Sequence, residues 1–285
     1  MLTIGIIGGS GLYAMDGLTD VREVEVETPF GAPSDVVVAG RLGGTQLLFL
    51  PRHGRGHRLL PSELPFRANI WALKHLGAER VIAVSAVGSL REEIAPGHLV
   101  VPDQFVDRTF GRIATFFGNG IVAHVAFGDP VCPVLSRALV DGARRLGATV
   151  HAGGTYVCME GPQFSTRAES ELYRSWGASI IGMTNLQEAK LAREAELCFA
   201  TLALATDYDC WKQDAHEVAI ADVLAVLQAN VALAKRVIHD VVPALPAEPG
   251  CGCGRALEDA IITDRARIPA KVKHDLAPII GRYVS

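Results

Sequence analysis

Short apolar segments alternate along this chain with longer segments that have helical spacing. Eight short runs are rich in β-branched residues: Thr3–Ile7, Asp35–Val38, Gln46–Leu50, Val81–Val84, His98–Val101, Thr155–Met159, Ile180–Met183 and Leu197–Thr206. Five longer segments repeat apolar residues every three or four positions: Ser62–Leu76, Pro133–Leu146, Ser165–Trp176, Thr184–Ala195 and Val218–Val241. Strands alternating with helices predict an α/β fold, with a central mixed, largely parallel, twisted β-sheet flanked by helices.

The composition favours one large core. Of 285 residues, 49% are hydrophobic and 20% are charged, so the chain can bury much of its surface. We predict one main domain over residues 1–242. Residues 243–285 are predicted to form a C-terminal extension, because PALPAEPGCGCG is typical of a linker or surface excursion and short amphipathic segments follow it.

Charge and hydropathy argue against several classes of partner. The 27 basic and 31 acidic residues give a formal net charge of −4, with no basic stripe of the kind that binds nucleic acid. No stretch reaches the roughly 18 apolar residues of a membrane helix. The opening MLTIGIIGGSG has no basic segment before its apolar run, so it predicts a strand and not a signal peptide. We expect a cytoplasmic protein with neither nucleic acid nor membrane as a partner.

The six cysteines divide into two groups. Four lie in apolar segments, where a thiol behaves as a small hydrophobe: Cys132, Cys158, Cys198 and Cys210. Cys251 and Cys253 form a C-x-C pair, whose spacing suits a strained bridge or a soft metal but lacks the second pair expected of a zinc site. The sequence therefore favours a flexible or redox-sensitive pair, and we expect no metal ligands.

Polar and glycine-rich motifs follow most of the predicted strands. Gly8–Gly11 can form an anion-binding nest of backbone N–H groups, although such a turn can also be purely structural. Pro51–His57 carries two arginines and two histidines among glycines, and arginine suits a tetrahedral oxyanion. Since ligands of α/β proteins bind at the carboxyl ends of strands, this motif is a candidate anion site.

Further motifs follow the later strands. Ser85–Ser89 offers small residues that allow a ligand to approach the backbone, and Glu160–Ser165 combines an acid with an aromatic ring. Asp207 and Asp209 lie two positions apart after a buried strand, so their carboxyl groups can face the same side and act in proton transfer or hydrogen bonding.

These motifs together resemble a known family. GGSGLY, PRHGRGH, SAVGSLREEIAPG, DQFVDRT, EGPQFSTRAES and TDYDCW occur in order between about Ile4 and Val241. They are similar to motifs of methylthioadenosine phosphorylases and the related methylthioinosine and 6-oxopurine nucleoside phosphorylases, which are trimeric purine nucleoside phosphorylases. The C-x-C pair is similar to that of some archaeal members.

The resemblance implies a role for each matching residue. Phosphate would be held by Ser10, Arg52, His53, Ser85, Ala86 and Thr184. The nucleoside would be bound by Phe164 and Met183, by Asp207 and Asp209 at the base edge, by Val223 and Leu224 near the sugar 5' position, and by His124, which would reach a neighbouring subunit's site. Asp207 would be the catalytic acid, because the departing purine must be neutralised.

The resemblance implies a pentosyltransferase that reversibly cleaves 5'-methylthioadenosine with phosphate, giving adenine and 5-methylthioribose 1-phosphate. Phosphate is a co-substrate and no cofactor is implied; the assembly would be a homotrimer, with pairing into hexamers left open. Where family members commonly read MTTVPE, this chain has MTNLQE, so a 5'-methylthioinosine or 6-oxopurine nucleoside phosphorylase is the alternative. A non-catalytic nucleoside-binding protein and a nucleosidase that uses water are more distant alternatives.

Overall fold

A computed structural model describes residues 1–9, 11–212 and 220–284, without the side chains of 220–225 and 227. In this part of the chain, eleven strands form one sheet: β1 (Thr3–Gly8), β2 (Thr19–Val24), β3 (Val37–Leu42), β4 (Thr45–Pro51), β5 (Arg80–Ser89), β6 (Leu99–Val101), β7 (Gln104–Arg108), β8 (Val150–Ala152), β9 (Thr155–Met159), β10 (Ile180–Gly182) and β11 (Cys198–Asp207). The strand order is β2-β3-β4-β1-β5-β10-β9-β7. β11 pairs with β5 and β6, and β6 pairs with β8.

Seven α-helices occur in the same described ranges: α1 (Phe66–His75), α2 (Pro133–Arg145), α3 (Arg167–Ser175), α4 (Asn185–Glu194), α5 (Ile220–Val241), α6 (Ala270–Asp275) and α7 (Ala277–Val284). Successive residues of a strand point to opposite faces of the sheet, so Ile6 and Ile7 of β1 join different hydrophobic clusters. The cluster around Ile7 includes residues of α1, α4 and α7, and the cluster around Ile6 includes residues of α2 and α5. Helices therefore cover both faces.

The predicted fold class is confirmed. Each predicted strand and helix overlaps an observed one, and most neighbouring strand pairs, among them β1 with β4 and β5 with β11, are parallel. The segment Asp35–Val38 is displaced, because β3 begins only at Val37. The Asp35 carboxylate accepts hydrogen bonds from the backbone N–H groups of Val36 and Arg55, which holds it in a turn before the strand.

The C-terminal residues pack on the core that the sheet and helices build. Leu257, Ile268 and Ile280 belong to the same hydrophobic cluster as α1. The indole N–H of Trp71 donates to the backbone oxygen of Asp275 over 2.9 Å. Residues after 243 therefore extend the core of the domain. In the described ranges, no helix combines the length and apolar character needed to cross a bilayer.

Glu194, the last residue of α4, is buried and accepts two hydrogen bonds. The donors are the backbone N–H of Phe116 and the hydroxyl of Thr115, each at 2.7 Å. Burial outweighs these hydrogen bonds and raises the pKa of Glu194 from 4.5 to about 7. A carboxyl group whose pKa is raised by folding contributes stability in its protonated form, and this contribution is lost as the pH rises from about 4.5 to about 7.

Glu194→Gln should therefore flatten the pH dependence of stability between pH 5 and pH 8. In the unmodified protein this carboxyl group makes unfolding easier at pH 8 than at pH 5, by up to about 3 kcal/mol, and glutamine cannot ionise. Thermal unfolding at both pH values measures the difference. The matched control is Glu171→Gln on the exposed side of α3, which should keep the original difference. An equal difference in the Glu194 variant would contradict this account.

Candidate active site

The parallel strands bring several predicted motifs to one edge of the sheet. Gly8 at the end of β1 is in register with Pro51 at the end of β4, and Ile7 is in register with Ala83 of β5. Asp207 at the end of β11 lies opposite Gly88 of β5. The backbone N–H of Arg52 donates to the Gly8 oxygen over 2.9 Å. The loops that follow these strands therefore leave the same edge, where ligands of α/β proteins bind.

Arg52 is a buried, firmly held side chain at this edge. Its guanidinium is 4% exposed and pairs in a two-point contact with Glu188, with Nε–Oε1 at 2.5 Å and NH2–Oε2 at 3.0 Å. Its NH1 also donates to the backbone oxygen of Val84 over 2.8 Å. Burial alone would lower the pKa of Arg52, but the ion pair with Glu188 outweighs burial and raises it. Two of the five guanidinium N–H groups remain for another acceptor.

The other residues predicted to hold phosphate lie around this ion pair. Ser85 and Ala86 follow Val84 in β5; Ser85 is buried, whereas Ala86 is the one exposed residue of that strand. Thr184 is buried at the N-terminus of α4, and its side chain makes no capping hydrogen bond. The next residue, Asn185, donates to the Glu188 carboxylate over 2.8 Å. Arg52 is thus bonded to the residue before Ser85 and, through Glu188, to the residue after Thr184.

His53 lies beside Arg52 with one ring nitrogen already used. Its Nδ1 is 2.8 Å from the backbone oxygen of Leu59, and its ring stacks on His57 at 4.3 Å between centroids. Burial lowers the pKa of His53, and the neighbouring Arg52 acts in the same direction. Since a carbonyl oxygen only accepts, the neutral ring carries its hydrogen on Nδ1 and leaves Nε2 as an acceptor.

Asp207 and Asp209 form a hydrogen-bonded pair at the end of β11. The Asp207 carboxylate accepts from the backbone N–H of Asp209 at 2.8 Å and from the Thr206 hydroxyl at 2.7 Å. Asp209 accepts from the Ser170 hydroxyl of α3 at 2.5 Å. Burial raises the pKa of Asp209, and the charge of Asp207 adds to this effect. Two oriented carboxyl groups, one of them more easily protonated than usual, can exchange a proton with a ligand.

Met183 is positioned by an arginine that sequence reasoning missed. The Arg112 side chain is 2% exposed and donates to the Met183 backbone oxygen, to the Glu160 carboxylate and to the Gln187 side chain. Glu160 also accepts from the Ser62 hydroxyl. No sequence pattern marks Arg112, because its partners are far away along the chain.

Asn185 and Gln187, which distinguish MTNLQE from MTTVPE, contact protein groups. Asn185 bonds to Glu188, and the Gln187 amide donates to the Thr109 hydroxyl over 2.8 Å. Both are almost fully buried in α4. Glu188 was likewise missed by sequence reasoning, although an acid four residues after a proposed phosphate ligand is the one signal that could have marked it.

Two predicted site residues lie on the surface of the single chain. The ring of Phe164 is 84% exposed, although its loop is held near Asp209 because the Cys210 thiol contacts the Ser165 oxygen at 3.3 Å. His124 is exposed, and its backbone N–H donates to the oxygen of Ala260. Three further predictions concern Ser10 and the side chains of Val223 and Leu224, which lie outside the described residues.

Comparison with known proteins gives consistent results. The model of the phosphorylase superfamily matches residues 3–243. The S-methyl-5'-thioadenosine phosphorylase of Geobacter sulfurreducens is 61% identical over 282 residues, covering 99% of each chain.

Two solved structures superimpose along nearly the whole chain. A methylthioadenosine phosphorylase from an Antarctic soil metagenomic library has a TM-score of 0.94 and 48% identity, covering 98% of each chain. A mutant adenosine/methylthioadenosine phosphorylase of Schistosoma mansoni in complex with methylthioadenosine has a TM-score of 0.81 and 34% identity, covering 99% of this chain and 98% of that one. The chain therefore belongs to the phosphorylase superfamily, in the group that contains the S-methyl-5'-thioadenosine phosphorylases.

Proposed function

We propose that this protein cleaves 5'-methylthioadenosine with inorganic phosphate, yielding adenine and 5-methylthioribose 1-phosphate in a reversible reaction. The observation that carries the proposal is the common sheet edge. The anchored Arg52 follows β4 and the Asp207–Asp209 pair follows β11, two parallel strands that are joined through β1 and β5 and end at the same edge. The named activity of the relatives, similar over almost the entire chain, supports the same reaction.

Phosphate is proposed to bind beside Arg52, within reach of Ser10, His53, Ser85, Ala86 and Thr184. Glu188 already neutralises the charge of Arg52, so backbone dipoles supply much of the stabilisation of the anion. The N-terminus of α4 at Thr184 and the Gly8–Gly11 turn are suited to this task. A neutral His53 accepts a hydrogen bond from a protonated phosphate oxygen through Nε2.

The purine is proposed to lie against Asp207 and Asp209. A phosphate oxygen bonds to the anomeric carbon while the bond from that carbon to the purine breaks, and the electron pair of the broken bond moves to the base. Asp207 donates a proton to the departing purine, and the Asp209 N–H orients the Asp207 carboxyl group. Phosphate, held on the opposite face of the sugar, stabilises positive charge at the anomeric carbon before capturing it.

The remaining nucleoside contacts complete the proposal. Met183 lies against the ribose and Phe164 against the purine. Val223 and Leu224 form an apolar wall for the 5'-methylthio group, because such a wall offers no partner to a hydroxyl. Phosphate is the co-substrate, and the proposed chemistry uses no cofactor.

We also propose a homotrimer in the cytoplasm. Several large apolar side chains are exposed in the single chain: Phe110, Ile113, Phe164 and Trp176. Contact with a neighbouring subunit would remove them from water, and His124 would then contribute to that subunit's site.

Purified protein should release adenine from 5'-methylthioadenosine only when phosphate is present. Turnover should vanish after phosphate is dialysed away and return when it is added, since phosphate is the nucleophile. Product chromatography on 5'-methylthioadenosine and 5'-methylthioinosine in parallel measures both points. Faster release of hypoxanthine would show that 5'-methylthioinosine is the preferred substrate. Cleavage without phosphate would indicate a nucleosidase. Binding without turnover would indicate a non-catalytic nucleoside-binding protein.

Asp207→Asn should lower kcat by about 10²- to 10⁴-fold, because an amide cannot donate a proton to the leaving base. The KM for phosphate should change far less, since Asp207 lies on the base side of the proposed site. Asp259→Asn, at an exposed position in the C-terminal segment, is the matched control and should retain full activity. A kcat near that of the unmodified enzyme would rule out Asp207 as the acid.

A further inference from the structure

Four cysteines from distant parts of the chain meet on one side of the sheet. Cys132 precedes the first turn of α2, Cys198 begins β11, and Cys251 and Cys253 belong to the Pro- and Gly-rich segment. All four Sγ atoms lie within 4.8 Å of one another. The fold thus supplies the second pair of thiols that the isolated C-x-C motif lacks.

The sulfur distances fit a shared central ion. The Cys251 sulfur is 3.3 Å from that of Cys198 and 3.6 Å from that of Cys132. Four sulfurs bound tetrahedrally at about 2.3 Å from a zinc ion are about 3.8 Å apart, whereas bonded sulfurs in a disulfide are about 2.05 Å apart. Cys251 has two sulfur neighbours at nearly equal distances. The arrangement therefore fits four sulfurs around one metal ion better than sulfurs joined in pairs by disulfide bonds.

We propose that Cys132, Cys198, Cys251 and Cys253 bind one zinc ion in a closed, four-thiolate structural site. Zinc favours tetrahedral thiolate coordination, and four protein ligands leave no position for a substrate. The site also lies far from the chemistry, since Cys198 and Asp207 are at opposite ends of β11, about 30 Å apart for nine residues of extended chain.

The surroundings suit a negatively charged thiolate cluster. The backbone N–H of Leu135, in the first turn of α2, donates to the Cys132 sulfur at 3.5 Å, and the N-terminus of a helix stabilises negative charge. Arg80 is in register with Cys198 on the neighbouring parallel strand, so its side chain lies on the same face of the sheet. It is 2% exposed, and its Nε has no hydrogen-bond partner among the described residues.

Arg80 also connects the cluster to the C-terminal segment. Its NH2 group donates to the backbone oxygens of Pro246 and Ala247, just before the C-x-C pair. A zinc ion at the four sulfurs would fasten this segment to the amino ends of β5 and β11. The metal would act on folding and on retention of the C-terminal segment, and it would take no part in cleavage of the nucleoside.

The test is the metal content of protein purified without chelators and under reducing conditions. Mass spectrometry of the elements should find about one zinc per chain. The Cys251→Ser/Cys253→Ser double variant should lose nearly all of it and unfold at a lower temperature, with circular dichroism showing whether it is folded. Cys210→Ser, a half-exposed cysteine outside the cluster, is the matched control and should keep its zinc.

A second measurement does not depend on any variant. Replacing the bound metal by Co²⁺ in the unmodified protein should give the thiolate charge-transfer and visible bands of tetrahedral cobalt coordinated by sulfur. An intact mass lower by two hydrogens per bridge, with no zinc, would assign the cysteines to disulfides instead. Four free thiols without zinc, or zinc retained by the double variant, would equally overturn the proposal.

Discussion

The ion pair between Arg52 and Glu188 is the contact on which the geometry of the sheet edge depends. It joins the end of β4 to α4, and the same guanidinium bonds to the Val84 oxygen of β5. Both charges are almost completely buried, so removing either partner would leave an uncompensated charge at a cost of about 3–5 kcal/mol. Through Asn185 the network extends to the N-terminus of α4, next to Thr184. The interaction therefore fixes the position of α4 relative to the ends of β4 and β5.

The two ends of the parallel strands serve different purposes. At their carboxyl ends, short loops present polar groups and the exposed Ala86, as expected for a ligand site. At their amino ends, Arg80 and the cysteine cluster contact the C-terminal segment, where the proposed zinc site would stabilise the fold. Glu196, just before β11, adds to this attachment by accepting hydrogen bonds from Leu257 and Tyr283. The candidate ligand site and the contacts that attach the C-terminal segment thus lie at opposite ends of the same strands.

Buried elements could be predicted from the sequence, and exposed or long-range features could not. The apolar runs of β1, β4, β5 and β11 are unmistakable because both faces of these strands are covered. β2 reads TDVREV and is mostly exposed at a sheet edge, while β8 has three residues, so neither carries an apolar signal. The strand-end motifs marked the candidate site. Glu188 and Arg112 hold the residues of this site in place, and the four cysteines meet in one cluster. Both features depend on contacts between segments that are distant in the sequence, so no local sequence pattern predicts them.

The most direct test of the account is a crystal structure with phosphate and a non-cleavable analogue of 5'-methylthioadenosine bound together. The predicted result places phosphate within hydrogen-bond distance of Arg52 and Thr184, with the sugar between the phosphate and the purine and the purine against Asp207. A phosphate bound elsewhere, or a purine remote from Asp207, would contradict the claim that this sheet edge assembles both halves of the reaction.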